Sequence, residues 1–252
     1  MKEGMNMVRD PVCLMKFDLR EAEAMAVVDG RAWYFCSEGC REHFLEDTER
    51  YRGNAEGQRL AVGVMGSAAA DPDPALQRQA ERLGEAIGDA GLILVTGACP
   101  GLPHACAQGV RSREGLSVGI SPALSLDEHL YKYHSPADAF DVMVYTGSGL
   151  MGREVTNIRS SDMVIIVGGR SGTLGEFAIA YDEGKLIGVL SGSGGITDTL
   201  PEVIRQFDKD TGAEVLYDAD PGQLVARLID AYSRRHFRRP SCFCGDGQAT
   251  EG

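Results

Sequence analysis

The rhythm of apolar and polar positions changes once along the chain, near residue 59. Over 8–51 it is that of a small mixed unit. VRDPVCLMKF is turn-rich around Asp10-Pro11, and AMAVVDGRAWYFC reads as two strands joined by a two-residue Asp29-Gly30 turn. SEGCREHFLEDTERY repeats apolar residues at helical spacing behind Ser37, a good N-cap. Residues 52–58, RGNAEGQ, are polar and glycine-containing and read as a linker. From residue 59 strands alternate with helices. RLAVGVMGS, LILVTGACPG, LSVGISP, DVMVYTG, MVIIVGG and LIGVLSG are apolar runs that end in glycine or serine, with a helix expected after each of the last three. PALQRQAERLGEAIGDAG (74–91) has helical spacing and closes on glycine, and LPHACAQGVRSREG supplies another helix.

Strands this apolar are buried on both faces, which predicts a parallel sheet covered by helices. The expected fold is therefore α/β: a Rossmann-like open parallel sheet over 59–235, preceded by a small α+β hairpin-and-helix module over 8–51. Residues 236–252 are expected to form a flexible tail. Ligands of open α/β sheets bind beyond the strand C-termini, where the glycines of this chain gather.

Composition narrows the function classes. A formal net charge of −12 argues against a nucleic-acid-coating role, which needs a basic surface, and the one basic cluster, RRHFRR (234–239), is short. No run of eighteen apolar residues predicts a membrane span, and MKEGMNMVRDPVC lacks the features of a signal peptide, so a cytoplasmic location is expected. In that setting the seven cysteines read as thiols or metal ligands rather than structural disulfides. Cys36 and Cys40 stand in C-x3-C spacing at a strand-to-helix corner, with Cys13 in the opposite turn, and three thiolates there would favour a soft ion such as Cu(I) or Zn. Cys99 and Cys106 read as core or loop residues, and Cys242-Phe-Cys244 as a tail pair of no assigned role. The segments DPVCLM (10–15) and WYFCSEGCREHF (33–44) resemble the YHS domain, a small metal-associated module, with Leu14 standing where that family usually has glycine. The resemblance implies Cys13, Cys36 and Cys40 as metal ligands.

Two glycine clusters compete for a ligand. GSGLMG (147–152) matches G-x-G-x-x-G, but the acidic residue expected about twenty positions on, which would hold a ribose hydroxyl, is replaced by GGRSGT (168–173). A dinucleotide is therefore not expected. GGRSGT follows MVIIV directly and opens the next helix, so its backbone N–H groups and the helix dipole suit an anion.

GGRSGTLGE, with Arg153 upstream, resembles the P-G-G-x-G-T-x-x-E signature of the LOG family, long labelled lysine decarboxylase-like. Gly168 takes the place of its proline and Arg170 of its second glycine, while Gly169, Gly172, Thr173 and Glu176 match. VGVMGS (62–67) and LVTGACPGL (94–102) match two earlier glycine turns. These departures point to a divergent branch that includes molybdenum-cofactor carrier proteins. Characterised family members are cytokinin riboside 5′-monophosphate phosphoribohydrolases. The resemblance thus implies hydrolysis of the N-glycosidic bond of a nucleoside 5′-monophosphate, with Glu176 and Arg153 catalytic. It also implies ligand contacts at Gly66, Ser67, Gly97, Gly101, Gly169, Arg170, Ser171, Gly172 and Thr173.

Glu176 is expected in the first turn of its helix, where the dipole favours the ionised form, which suits a carboxylate that stabilises a ribosyl cation or activates water. The competing reading makes Thr173-x-x-Glu176 a capping box. Arg153 and Arg159 read otherwise as surface charges, and Asp71 and Asp73 as turn formers or caps. The hydrolase reading needs no cofactor. In the alternative, the chain is a non-catalytic carrier or sensor of a phosphorylated pterin, such as the molybdenum cofactor, or of a nucleotide, linked to metal (zinc or copper) through the front module. Lysine decarboxylation lacks a credible Schiff-base lysine. Family members typically assemble as dimers or larger homo-oligomers, which is carried over as an expectation.

Overall fold

The computed structural model describes residues 6–69, 72–207 and 209–234. The expectations for Asp71, Cys242, Cys244 and the tail at 236–252 fall outside these residues. The chain divides into two compact units: residues up to Leu60 together with the end of the last helix from Ile229, and Ala61–Leu228.

In the first unit, β1 (Met7–Arg9) pairs antiparallel with β2 (Lys16–Asp18). β3 (Ala24–Val28) and β4 (Arg31–Phe35) form the expected hairpin, with Val28 opposite Arg31. Asp29 (φ 51°) and Gly30 (φ 66°) are both left-handed, as the favoured two-residue turn requires. The helix α1 (Glu38–Glu46) starts where the Ser37 hydroxyl accepts from the Cys40 N–H at 3.2 Å. A short α2 (Thr48–Tyr51) follows, and β5 (Gln58–Arg59) adds to β4. The core is small and aromatic: Phe44 of α1 lies 5.0 Å from the Trp33 ring and 5.2 Å from that of Phe35, centroid to centroid. Leu14 holds φ 65°, a left-handed conformation that glycine adopts without strain.

The second unit runs β6 (Ala61–Gly66), α3 (Pro74–Asp89), β7 (Ile93–Thr96), α4 (Leu102–Ser112), β8 (Leu116–Ser121) and β9 (Val142–Tyr145). It continues with α5 (Gly149–Arg159), β10 (Met163–Val167), α6 (Ser171–Asp182), β11 (Leu186–Leu190), α7 (Leu200–Ile204), β12 (Glu214–Asp218) and α8 (Pro221–Arg234). All seven strands are parallel, in the order β12-β11-β10-β6-β7-β8-β9. Every residue of β10 and β11 is buried, so helices cover both faces. The apolar face of α6 is seated by Phe177, which packs with Met65, Ile158, Val164 and Val189.

One strand goes beyond the sequence pattern. A seventh strand, β12, is added from EVLYD, whose five residues are all half-buried and give no strong apolar run. The segment between β8 and β9 holds only a helical turn at Glu128–Lys132, where His129 is buried between the Ser121 hydroxyl (2.9 Å) and the Pro136 carbonyl (3.0 Å). No helix among the described residues is long and apolar enough to cross a membrane.

Candidate functional site

The chain winds outward from β6 through β7, β8 and β9, then returns to place β10 on the other side of β6. The loops after β6 and β10 therefore diverge at their C-terminal ends and leave a crevice, the usual ligand position of such sheets. A cavity of about 470 Å³ occupies it. Its wall is built from Gly66, Ser67 and Ala68 after β6, Gly97 and Cys99 after β7, Leu150, Arg153 and Glu154 of α5, and Arg170 with Ser171, Gly172, Thr173 and Glu176 of α6.

Arg153 is the fifth residue of α5, and the left-handed Gly147 (φ 63°) and Gly149 (φ 71°) make the turn into that helix. The first glycine cluster is thus the corner that aims Arg153. Its side chain is only 6% exposed, and its buried Nε and Nη1 have no hydrogen-bond partner. The guanidinium fills the space that a Cβ at residue 97 would take, so Gly97 is glycine to admit a cation. Buried unpartnered N–H groups on a charged side chain are costly, and a ligand acceptor would offset that cost.

Glu176 is 7% exposed and shares the wall with Arg153. Burial raises its carboxyl from 4.5 to about 7; Arg153 and a hydrogen bond with Asn157 pull it down, while Glu154 pushes it up. Burial therefore works against the dipole-stabilised anion that the sequence pattern led us to expect. Helix α6 begins at Ser171 with Arg170 as its N-cap residue and no side-chain cap, so Glu176 is the sixth helical residue and no capping box forms. Removal from water outweighs the dipole there.

The turn before α6 is built on two left-handed glycines, Gly168 and Gly169. Gly168 stands at φ 58°, which proline cannot adopt, and its N–H donates to the Ser193 hydroxyl at 2.8 Å. At Gly169 (φ 95°) the Thr173 side chain fills the space a Cβ would need. The free N–H groups at the start of α6 open beside the exposed Arg170, an arrangement that attracts anions.

The structure brings Gly66, Ser67, Gly97, Arg153, Arg170, Ser171, Gly172, Thr173 and Glu176 to one cavity wall. Gly101 and Gly169 are not on that wall; they shape turns beneath it, Gly101 preceding α4 at φ 81°. Arg159 is a surface residue paired with Glu183 at 2.7 Å, and Asp73 caps α3 by accepting from the Ala75 N–H. Cys106 is core, but Cys99 is a wall residue whose thiol burial pushes up and Arg153 pulls down. Glu154 escaped the sequence reading because a charge next to Arg153 on a short helix looks solvated. It is 6% exposed, and burial raises its carboxyl.

In the first unit the three front cysteines converge, and Asp10 joins them. One donor atom from each of Asp10, Cys13, Cys36 and Cys40 lies within 4.8 Å of all the others. Cys13 and Cys36 sulfurs are 3.5 Å apart, and Cys36 and Cys40 are 3.9 Å apart. Asp10 is fully buried and accepts from the N–H groups of Val12 (2.8 Å), Cys13 (3.3 Å) and Cys36 (2.9 Å), tying the two cysteine turns together. Burial and the neighbouring Asp10 push the Cys36 thiol up to about 12, so a bound cation would be needed to draw off its proton. Three sulfurs and one oxygen at this spacing fit a tetrahedral, soft or borderline ion.

The YHS domain model matches residues 8–55, and that of the SLOG cluster4 family matches residues 59–225. An uncharacterized protein of Archaeoglobus fulgidus is 36% identical over 131 residues, 52% of this chain and 80% of that protein. Among solved structures, the molybdenum cofactor binding protein of Rippkaea orientalis is 28% identical with a TM-score of 0.56, covering 69% of this chain and 97% of its own. The Moco carrier protein of Chlamydomonas reinhardtii is 27% identical with a TM-score of 0.56, covering 71% and 100% respectively. With the matched residues spanning the whole crevice, the chain belongs to the SLOG cluster4 family and carries a YHS domain at its front.

Proposed function

We propose that the crevice binds a phosphorylated nucleoside and that Glu176 hydrolyses its N-glycosidic bond, giving free base and ribose 5-phosphate. The observation that carries this reading is a buried Arg153 guanidinium, whose Nε and Nη1 have no hydrogen-bond partner, on the same wall as a carboxyl whose ionisation lies near neutrality. The phosphate is taken by the N–H groups at the start of α6 with Arg170, and Arg153 holds a second acceptor of the substrate. As the C1′–N bond breaks, its electron pair goes to the base, which takes a proton from Glu176. The resulting carboxylate faces the developing ribosyl cation and accepts a proton as water adds to C1′, which restores the acid. A group with an ionisation near 7 suits both halves of that cycle. Incubation with AMP, GMP, CMP and UMP and chromatography for free base tests this. Release from at least one is expected, falling by about 10²-fold or more in Glu176→Ala; no release from any, or full activity in the variant, refutes it.

A second reading is favoured by the names of the two solved relatives, which are a molybdenum cofactor binding protein and a Moco carrier. The same anion loop and Arg153 would then hold a phosphorylated pterin without cutting it. Mass spectrometry of ligand retained on purification separates the two, a pterin mass deciding for the carrier. The front cluster takes a zinc or copper ion through Cys13, Cys36 and Cys40. Metal analysis of the wild type against a Cys36→Ala/Cys40→Ala variant should show loss of about one ion per chain, and equal contents refute the site. Assembly as a homodimer or larger is supported by the open edge strand β9, with Val142 and Val144 exposed, and light scattering of the purified chain tests it.

A further inference from the structure

Glu154 has no part in the chemistry above, yet it is built into the same wall. It follows Arg153 on α5 and is buried, and among the described residues no N–H or O–H group donates to its carboxylate. Its two oxygens rest against the glycine side of α6. A Cβ at Gly172 would stand 3.7 Å from Oε1, and one at Gly175 would stand 3.3 Å from Oε2. The two glycines, three positions apart on one helix face, leave a notch in which both carboxylate oxygens rest. The N–H groups that suit a phosphate point along the axis of α6 instead, so anion seat and carboxylate do not compete. Burial raises the carboxyl of Glu154 and Arg153 opposes the rise. In its ionised form Glu154 offers two acceptor oxygens to which none of the described residues donates.

We propose that Glu154 selects the base of the ligand, taking those that present a ring N–H beside an exocyclic amino group: the 2-amino-4-oxo-pyrimidine edge common to guanine and pterin. Two parallel N–H donors match a carboxylate in the way a guanidinium does. Adenine and cytosine place an amino donor beside a ring nitrogen lone pair, which opposes one carboxylate oxygen. Uracil offers one N–H between two carbonyls and meets the same repulsion. The inference rests on the crevice being the phosphorylated-ligand site proposed above, and it holds for either the hydrolase or the carrier.

Calorimetric titration of the full chain with GMP, IMP, AMP and neopterin monophosphate tests it. IMP differs from GMP only by the missing 2-amino group. GMP or the pterin phosphate is expected to bind about tenfold or more tightly than IMP and AMP, and whichever of the two binds tighter identifies the source of the edge. Glu154→Gln keeps the size but presents an amide donor. It should bring GMP to the level of IMP while IMP binding stays within about twofold, which also shows that the pocket is intact. Failure of both GMP and neopterin monophosphate to bind more tightly than AMP in the wild type overturns the inference and leaves nucleotide binding standing; so does a preference for either that survives in Glu154→Gln. Binding of none of the four removes the phosphorylated-ligand reading itself and this inference with it.

Discussion

Replacing Gly97 by alanine is the sharpest test of how Arg153 is seated. Gly97 is not among the left-handed glycines, so its backbone accepts alanine without strain. The added methyl would overlap Nη1 of Arg153 and stand 2.5 Å from its Cζ. Ordinary carbon–carbon contact lies at about 3.5–4.0 Å, so the guanidinium must withdraw by more than about 1 Å. Its one open side is the cavity, so the clash is relieved only by swinging the guanidinium out of its seat against residue 97 and into the ligand space. Overpacking of this kind costs about 1–3 kcal/mol, and we expect about 2 kcal/mol for Gly97→Ala, a fall of several degrees in melting temperature. The same change in an Arg153→Ala background should cost less than about 0.5 kcal/mol, because the clash is gone. Urea denaturation of the four proteins of this cycle gives the coupling directly. An equal penalty in both backgrounds would show that the glycine is required for some other reason and that Arg153 is not held as described.

Other outcomes follow from single positions. Leu14→Gly should stabilise the first unit by about 1 kcal/mol by relieving the left-handed strain, read as a rise in its melting temperature; a fall would mean that the leucine side chain contributes more than its backbone costs. Glu176 binds its proton more tightly when folded, at about 7 against 4.5, so its contribution is intact below pH 4.5 and is lost as pH rises to about 7. That loss amounts to roughly 3 kcal/mol at most. Glu176→Gln should remove this fall from the stability–pH curve, and an unchanged curve would place the carboxyl in a more solvated setting.

Much of the fold was legible because local signals agreed with one another. Asp29-Gly30 between alternating strands, Ser37 before α1 and the apolar runs that became β6 to β11 each need only short-range chemistry. β12 was missed because a strand beginning with glutamate and half-buried throughout carries no such signal. The residues gathered at the crevice were found through the glycine turns, since strand C-termini meet at the switch point whatever the side chains are. The upward shift of the Glu176 carboxyl was not legible. Its helix begins at Ser171 rather than at Thr173, and the burial that raises its carboxyl comes from α5 packing alongside, a tertiary fact. Glu154 and Asp10 were hidden for related reasons: one carboxylate is enclosed by a neighbouring helix, the other by turns that its own acceptor oxygens organise.

The bond from the Gly168 amide to Ser193 links two positions twenty-five residues apart. A proline at 168 has no hydrogen to give and cannot reach φ 58°, so this turn excludes it. The same Ser193 hydroxyl donates to the Leu190 carbonyl and meets Thr197, so one side chain fastens the loop after β11 to the turn that opens α6. The rigidity of the anion loop is therefore set partly by a residue outside its glycine cluster, and loss of the Ser193 hydroxyl would loosen the loop with its own sequence untouched.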